Sequence, residues 1–400
     1  MFDATFEPSS DTERALIEGA RALAPILRQR AAATNEARQL SAETINNFAE
    51  AGFWRMLQPR RWGGLQVDPR TFFSTQIEVA KGCASTAWVL GVVGVHAWQL
   101  AVFDERAQQE VWANNKGAAL ISSSYMPVGK VTHVDGGYQL SGRWSFSSGC
   151  DHCQWIFLGA FVPPREEGQR ADMRTFLLPR ADYEIIDNWH TSGLRGTGSK
   201  DIVVNDIFVP EHRTHRFADG FKCSSPGNVT NPEPLYRLPF GQIFVRSVAT
   251  TAIGIAEQAL LDFIGVASQR VSQAQGTKIK EDRDTQAIAA RAQATIREIK
   301  HVLHTNFGVM MAAVDAGEAL NIEDRVRWRY DSSRAVERCV EVVDKLFTQS
   351  GGRAIFLDHP MNRAFNDIHA ARAHFANKPG PAAENLGRVL LGMNTTDFFV

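Results

Sequence analysis

Residues 193–210 read GLRGTGSKDIVVNDIFVP, and the fold turns on whether the glycines lead into a helix or a strand. Gly193, Gly196 and Gly198 imitate a phosphate-binding loop. In a dinucleotide-binding fold, however, such a loop opens a helix and belongs to a strand–helix–strand unit. Here it runs into Ile202–Val209, a β-branched run of strand length with no helical period. The glycines therefore join two strands, and a parallel sheet wrapped in helices is excluded.

Upstream, further short runs are separated by turn residues: Ala118–Tyr125, Lys130–Val134, Tyr138–Leu140, Gln154–Val162, Arg174–Leu178 and Tyr183–Trp189. On either side of this block the period changes to that of helices. The first 115 residues carry a helix over Glu13–Ala33, a second starting at Ser41, a third from Pro69 toward Lys81, and an apolar one from Ala84 to Phe103. After a Gly-, Pro- and Asn-rich loop at 218–239, helices are expected at 241–272, 282–317, 322–349 and 360–376. Helices, then strands, then helices indicate segregated layers. The expected fold is mainly α with a central β-domain: an N-terminal helical domain (1–115), a β-domain (116–217) and a C-terminal four-helix bundle (218–400) preceded by its loop.

Composition narrows the function. The chain has 400 residues, 44% hydrophobic and 22% charged, with a net charge of −1 and both signs interspersed. No basic face for nucleic acid is present. Five scattered cysteines form no disulfide framework, and the N-terminus has no secretory pattern, so a cytoplasmic setting is expected. The Ala84–Phe103 stretch is long enough to span a membrane, but with Ser85, Thr86, His96 and Gln99 in it a buried central helix is the expectation.

Cys150 and Cys153 have metal-like spacing, yet no second pair of ligands accompanies them, and no metal site is expected. His369 and His374 lie five apart, which does not put both on one helix face. Serines cluster at Ser122–Ser124 and at Ser145, Ser147 and Ser148. Neutral hydroxyls suit the edge of a flavin, and the neighbouring Tyr125, Trp144, Phe146 and Trp155 suit its ring or a phenolic one.

Three segments carry a resemblance to acyl-CoA dehydrogenases. GLRGTGSKDIVVNDIFVP is similar to that family's β-domain stretch, GYQLSGRWSFSSGCDHCQWIFLGA to its flavin-side segment, and QSGGRAIFLDHPMNRAFNDIHAARAH to its C-terminal helix–turn–helix. No glutamate stands where a dehydrogenase keeps its base. MLQPRRWGGLQVDP, ISSSYMP and SSGCDHCQW instead resemble the oxygenase components of two-component flavin-dependent aromatic monooxygenases, including those acting on 4-hydroxyphenylacetate and on the phenolic ring of seco-steroids. That resemblance implies reduced flavin (FMNH2 or FADH2) from a separate NAD(P)H:flavin reductase, and O2 activated as a C4a-hydroperoxide. It also implies a small aromatic substrate, foremost a phenol hydroxylated ortho, and a homotetramer. Indole, another heteroaromatic, or oxygenation at nitrogen or sulfur is the alternative, with a dehydrogenase behind it. The implied site comprises His96 and His369 as catalytic histidines and Ser122 beside the flavin, with Ser124 and Trp144 near it. Ser147 or Ser148 is implied near flavin N5, Arg270 at its phosphate, and Gly351–Gly352 as a loop reaching the flavin of a neighbouring subunit.

Overall fold

The structure is a computed structural model that describes residues 6–113, 119–166, 168, 170–269, 278–397 and 399–400. Helices α1 (Asp11–Ala37), α2 (Ala42–Glu50), α3 (Pro69–Gly82), α4 (Ala84–Ala101) and α5 (Glu105–Trp112) come first. Their starts are set by side-chain caps: Ser10, Ser41 and Asp68 each accept a backbone N–H of the first turn of α1, α2 and α3. Strands β1 (Ile121–Val134), β2 (Gly137–Ser147), β3 (Trp155–Val162), β4 (Asp172–Pro179), β5 (Glu184–Ile186), β6 (Lys200–Pro210) and β7 (Thr214–Arg216) come next. They form one sheet in the order β5-β6-β2-β1-β3-β4-β7. All neighbours are antiparallel except β1 and β3. The chain then returns to helices: α6 (Phe217–Phe221), α7 (Phe240–Gln269), α8 (Arg283–Asp315), α9 (Ile322–Ser350), α10 (Pro360–Arg372) and α11 (Pro379–Leu390).

Several local expectations differ. The two runs at 118–125 and 130–134 belong to one long strand, β1, whose pairing with β3 shifts between Ser124 and Gly129. The strand expected over Tyr183–Trp189 shrinks to Glu184–Ile186. The 218–239 loop holds the end of α6 and 3-10 turns at Pro226–Asn228 and Pro234–Arg237. A fifth long helix, α11, joins the C-terminal four and packs on α9.

The sheet has two dressed faces. Along β3 and β4, Trp155, Phe157 and Leu177 join the core of the helices, whereas Ile156, Leu158, Phe176 and Leu178 join a second core inside the sheet. This is the period of two made visible, successive side chains pointing to opposite faces. The helices before and after the sheet share the first core, and all 18 residues of α4 are buried in it. Among the described residues α7, largely buried, is the one helix long and apolar enough to cross a membrane.

Trp144 fills the second core. It is wholly buried, and its indole N–H donates to Gly159 O at 2.8 Å. A Cβ at Gly129 or Gly142 would come within 2.6 or 2.8 Å of this ring, so both glycines make its berth. Trp144, expected beside the cofactor, has its ring packed inside the sheet. Trp144→Ala should leave a cavity and an unpaired carbonyl, lowering stability by about 3–5 kcal/mol. Urea unfolding checks this, and a loss below about 1 kcal/mol would show a site that collapses freely.

Candidate active site

The site is organised by one side of α4. Trp88, Val89, Val93 and His96 lie at helical spacing, and each reaches the sheet. Trp88 Nε1 donates to Ser148 Oγ at 3.1 Å. Val89 and Val93 press on Gly149, where a Cβ would meet Val89 at 2.8 Å. His96 Nδ1 donates to Ile121 O at 2.6 Å, because a carbonyl can only accept.

That bond fixes the imidazole tautomer. With its proton on Nδ1, His96 presents a bare lone pair at Nε2, which is buried and has no partner. Burial pushes its pKa down to about 4, so the ring is neutral near pH 7. His96 stands edge-on to Phe157 and Tyr125; Tyr125 meets Phe240 and Phe244, and Phe244 meets His374. The phenol of Tyr125 is held by Gln99 Oε1. An unsatisfied acceptor in an aromatic wall suits an O–H or N–H donor on a planar ligand.

The sheet distributes the serines by register. Ser122 and Ser124 pair with Ile156 and Leu158, on the face of the sheet's own core. Ser122 Oγ has no oxygen or nitrogen partner and lies against the Cys153 thiol, and Ser124 Oγ donates to Ser145 O at 2.7 Å. Ser123, paired with Phe157, occupies the helix-facing side and is half-buried. Ser122 and Ser124, both expected beside the cofactor, thus lie on the face of the sheet's own core. Counting alternate residues from Ile121 and Tyr125, both in the helical core, points to Ser123.

Ser147 and Ser148 are separated by a bulge just before them. Trp144 pairs with Ile202 and Ser147 with Lys200, three steps on β2 against two on β6. Phe146 absorbs the extra residue at φ 68° and turns its ring outward, with 61% of it exposed. Ser147 thereby returns to the face of Trp144 and Ile202, with its hydroxyl buried and unpartnered. Ser148 leaves the strand toward α4 and bonds Trp88 Nε1 at 3.1 Å and Ser199 Oγ at 2.7 Å.

The two histidines of DIHAARAH separate as their spacing predicts. His369 lies on α10, half-exposed, stacked on Phe365 and paired with Asp344 Oδ1 at 2.8 Å. It faces α9 and not the aromatic wall. His374 lies just past the end of α10 and caps the next turn, Nδ1 accepting Ala376 N–H at 3.2 Å. Its ring meets Trp88 edge-on at 5.7 Å and lies 6.3 Å from Phe244. Enclosure by these rings holds its pKa below the usual imidazole value. With Nδ1 accepting, its proton sits on Nε2, so His374 is a donor where His96 is an acceptor.

Of the remaining expected positions, Arg270 lies outside the described residues. Gly351 ends α9 at φ 71°, and the turn after Gly352 exposes Ile355, Phe356 and Leu357. The Cys153 and Cys150 thiols donate to Gly149 O and Gly198 O at 3.3 and 3.7 Å.

The donor set fits a flavin and a phenol: neutral hydroxyls, a neutral imidazole lone pair and aromatic walls. Residues 10–115 match the acyl-CoA dehydrogenase N-terminal domain and residues 247–379 the acyl-CoA dehydrogenase C-terminal domain. The chain is 40% identical over 380 residues to the flavin-dependent monooxygenase oxygenase subunit HsaA of Rhodococcus jostii, covering 95% of this chain and 99% of that one. It is 32% identical to the oxygenase component of a FADH2-dependent resorcinol hydroxylase from a Rhizobium species, over 93% and 92% of the two chains. The crystal structure of a Rhodococcus 3-HSA hydroxylase superposes with a TM-score of 0.92 at 39% identity, covering 98% of this chain and 99% of that one. Fold and site define an acyl-CoA dehydrogenase-like flavoprotein. Within that class, the chain belongs to the family of flavin-dependent monooxygenase oxygenase components.

The state of His96 has a consequence for stability. Its folded pKa is depressed, so between about 6.5 and about 4 the unfolded chain binds the extra proton and stability falls as pH falls. From pH 7 to pH 5 the loss from this residue is on the order of 2 kcal/mol. His96→Gln, which keeps a donor for Ile121 O, should lose correspondingly less in urea unfolding over that interval. Equal losses in both proteins would mean that His96 is not held neutral.

Proposed function

We propose that the chain takes reduced flavin, FMNH2 or FADH2, from a separate NAD(P)H:flavin reductase and uses O2 to hydroxylate a small phenol ortho to its hydroxyl. The carrying observation is the unpartnered Nε2 of neutral, buried His96 in a wall of aromatic rings. Reduced flavin, when bound, supplies the activation of O2 and the oxygen atom transferred. The chain's own residues bind, orient and keep the chamber dry. His96 Nε2 accepts the phenol's O–H, which raises electron density at the ortho carbon. His374 Nε2–H steadies the oxygen that becomes negative. Ser148, reaching toward α4 beside Trp88, is the serine assigned to the flavin in preference to Ser147. His369 is reassigned as a packing residue of α10.

The same reading makes the protein a homotetramer of the cytoplasm. Ile355, Phe356 and Leu357 support it, since such an apolar turn is commonly covered by another subunit. Five free cysteines are in keeping with a reducing compartment.

With NADH and free flavin the pure chain should form no product from a phenol, and an unrelated flavin reductase should restore hydroxylation. NADH-driven product from the chain alone would contradict this. His374→Ala should lower product per reduced flavin by about 10²–10⁴-fold, with H2O2 released in its place, while His369→Ala stays within a few-fold of wild type. The reverse ranking would return the catalytic role to His369.

A further inference from the structure

A run of buried hydroxyls leads away from Ser148. Trp88 Nε1 lies 3.1 Å from Ser148 Oγ, Ser148 Oγ 2.7 Å from Ser199 Oγ, Ser199 Oγ 2.7 Å from Thr197 Oγ1, and Thr197 Oγ1 2.8 Å from Leu194 O. Trp88, Ser148, Ser199 and Thr197 are all at least nine-tenths buried. The two ends of the run fix its direction. An indole N–H can only donate and a carbonyl can only accept, and each hydroxyl has one proton. Thr197 must spend its proton on Leu194 O, so it accepts from Ser199. Ser199 in turn accepts from Ser148, and Ser148 accepts from Trp88. Leu194 O also receives the Trp189 indole N–H at 3.1 Å, which leaves it an acceptor throughout.

Ser148 is therefore left with no proton to offer and one lone pair. It is an acceptor only. Flavin N5 changes character with oxidation state: it carries a hydrogen in the reduced ring and a bare lone pair in the oxidised ring. We propose that the Thr197–Ser199–Ser148 chain makes the site selective for reduced over oxidised flavin, by holding toward N5 a hydroxyl that accepts but cannot donate. This rests on the reading that Ser148 meets the flavin. Ser199 and Thr197 are positioning residues, acting through Ser148. An enzyme that draws reduced flavin from a shared pool, and must release the oxidised form after turnover, has use for such a filter. The sense of the filter comes from the protein's own donors and acceptors, with no charge involved.

The test is the ratio of two dissociation constants, for oxidised flavin in air and for reduced flavin under anaerobic titration. Removing an anchor frees Ser148 to turn its proton toward the ligand. Ser199→Ala should lower the oxidised-to-reduced ratio by about tenfold, mainly by tightening oxidised flavin, as expected when a hydrogen bond replaces a facing pair of lone pairs. Thr197→Val should act in the same direction, because Ser199 can then donate to Ser148. If Thr197→Val or Ser199→Ala fails to fold, Ser199→Cys, a weaker acceptor for the Ser148 proton, should give an intermediate ratio. Ser148→Ala should weaken reduced flavin and, by removing the facing lone pair, bind oxidised flavin no more weakly than wild type does. If Ser148→Ala alters neither constant, Ser148 does not meet the flavin and the underlying reading falls. If Ser148→Ala weakens reduced flavin but Ser199→Ala and Thr197→Val keep the wild-type ratio, the chain does not set the selectivity and the proposal is wrong.

Discussion

Everything at the site depends on the complete burial of α4. A helix covered on every side cannot leave a polar group to water, so each one must find a partner in the parts that enclose it. Ser85 Oγ accepts Gly196 N–H from the loop before β6 at 3.2 Å. Trp88 donates to Ser148 at the end of β2, His96 to Ile121 O at the start of β1, and Trp98 to Leu235 O before α7 at 2.8 Å. These bonds tie the N-terminal helices, the sheet and the C-terminal helices to one rod. An unpaired buried group costs about 1–3 kcal/mol, which makes any rearrangement around α4 expensive and the surroundings of the helix rigid.

Rigidity of this kind separates structural polar groups from chemical ones. Ser85, Trp88 and Trp98 spend their polar atoms on the surrounding elements. His96 is different, satisfied on one nitrogen and bare on the other. Its satisfied side fixes the tautomer, and its bare side is what a substrate can use. The bond behind the ring thus decides the chemistry in front of it, as it does for histidines that bind metals. His374 is oriented by a helix-end amide in the same manner but with the opposite tautomer. Both imidazoles are held in low-charge, aromatic surroundings.

The order of helical, β and helical parts was legible from period alone, as was the buried nature of Ala84–Phe103. Three features of the site were not. The choice between Ser147 and Ser148 depends on a bulge closed by a phenylalanine at positive φ, a conformation nothing in WSFSSG announces. The choice between His369 and His374 depends on α10 ending at Arg372, where no glycine or proline marks the stop; the alanines there would continue a helix equally well. The burial of Trp144 inside the sheet was not legible because aromatic residues serve cores and sites alike, and its berth is made by Gly129 and Gly142. The helix-facing side of β1, shared by Ile121, Ser123 and Tyr125, was legible from alternation along the strand.

The central claim is that one atom of O2 ends in the product while the chain itself supplies no reducing power. Isotope labelling tests it most directly. With an unrelated flavin reductase, NADH, a simple phenol and ¹⁸O2, the account predicts a catechol-type product carrying a single labelled oxygen, and none when the label is in water. An unlabelled product, or one that has lost two hydrogens without gaining oxygen, would place this chain with the dehydrogenases instead.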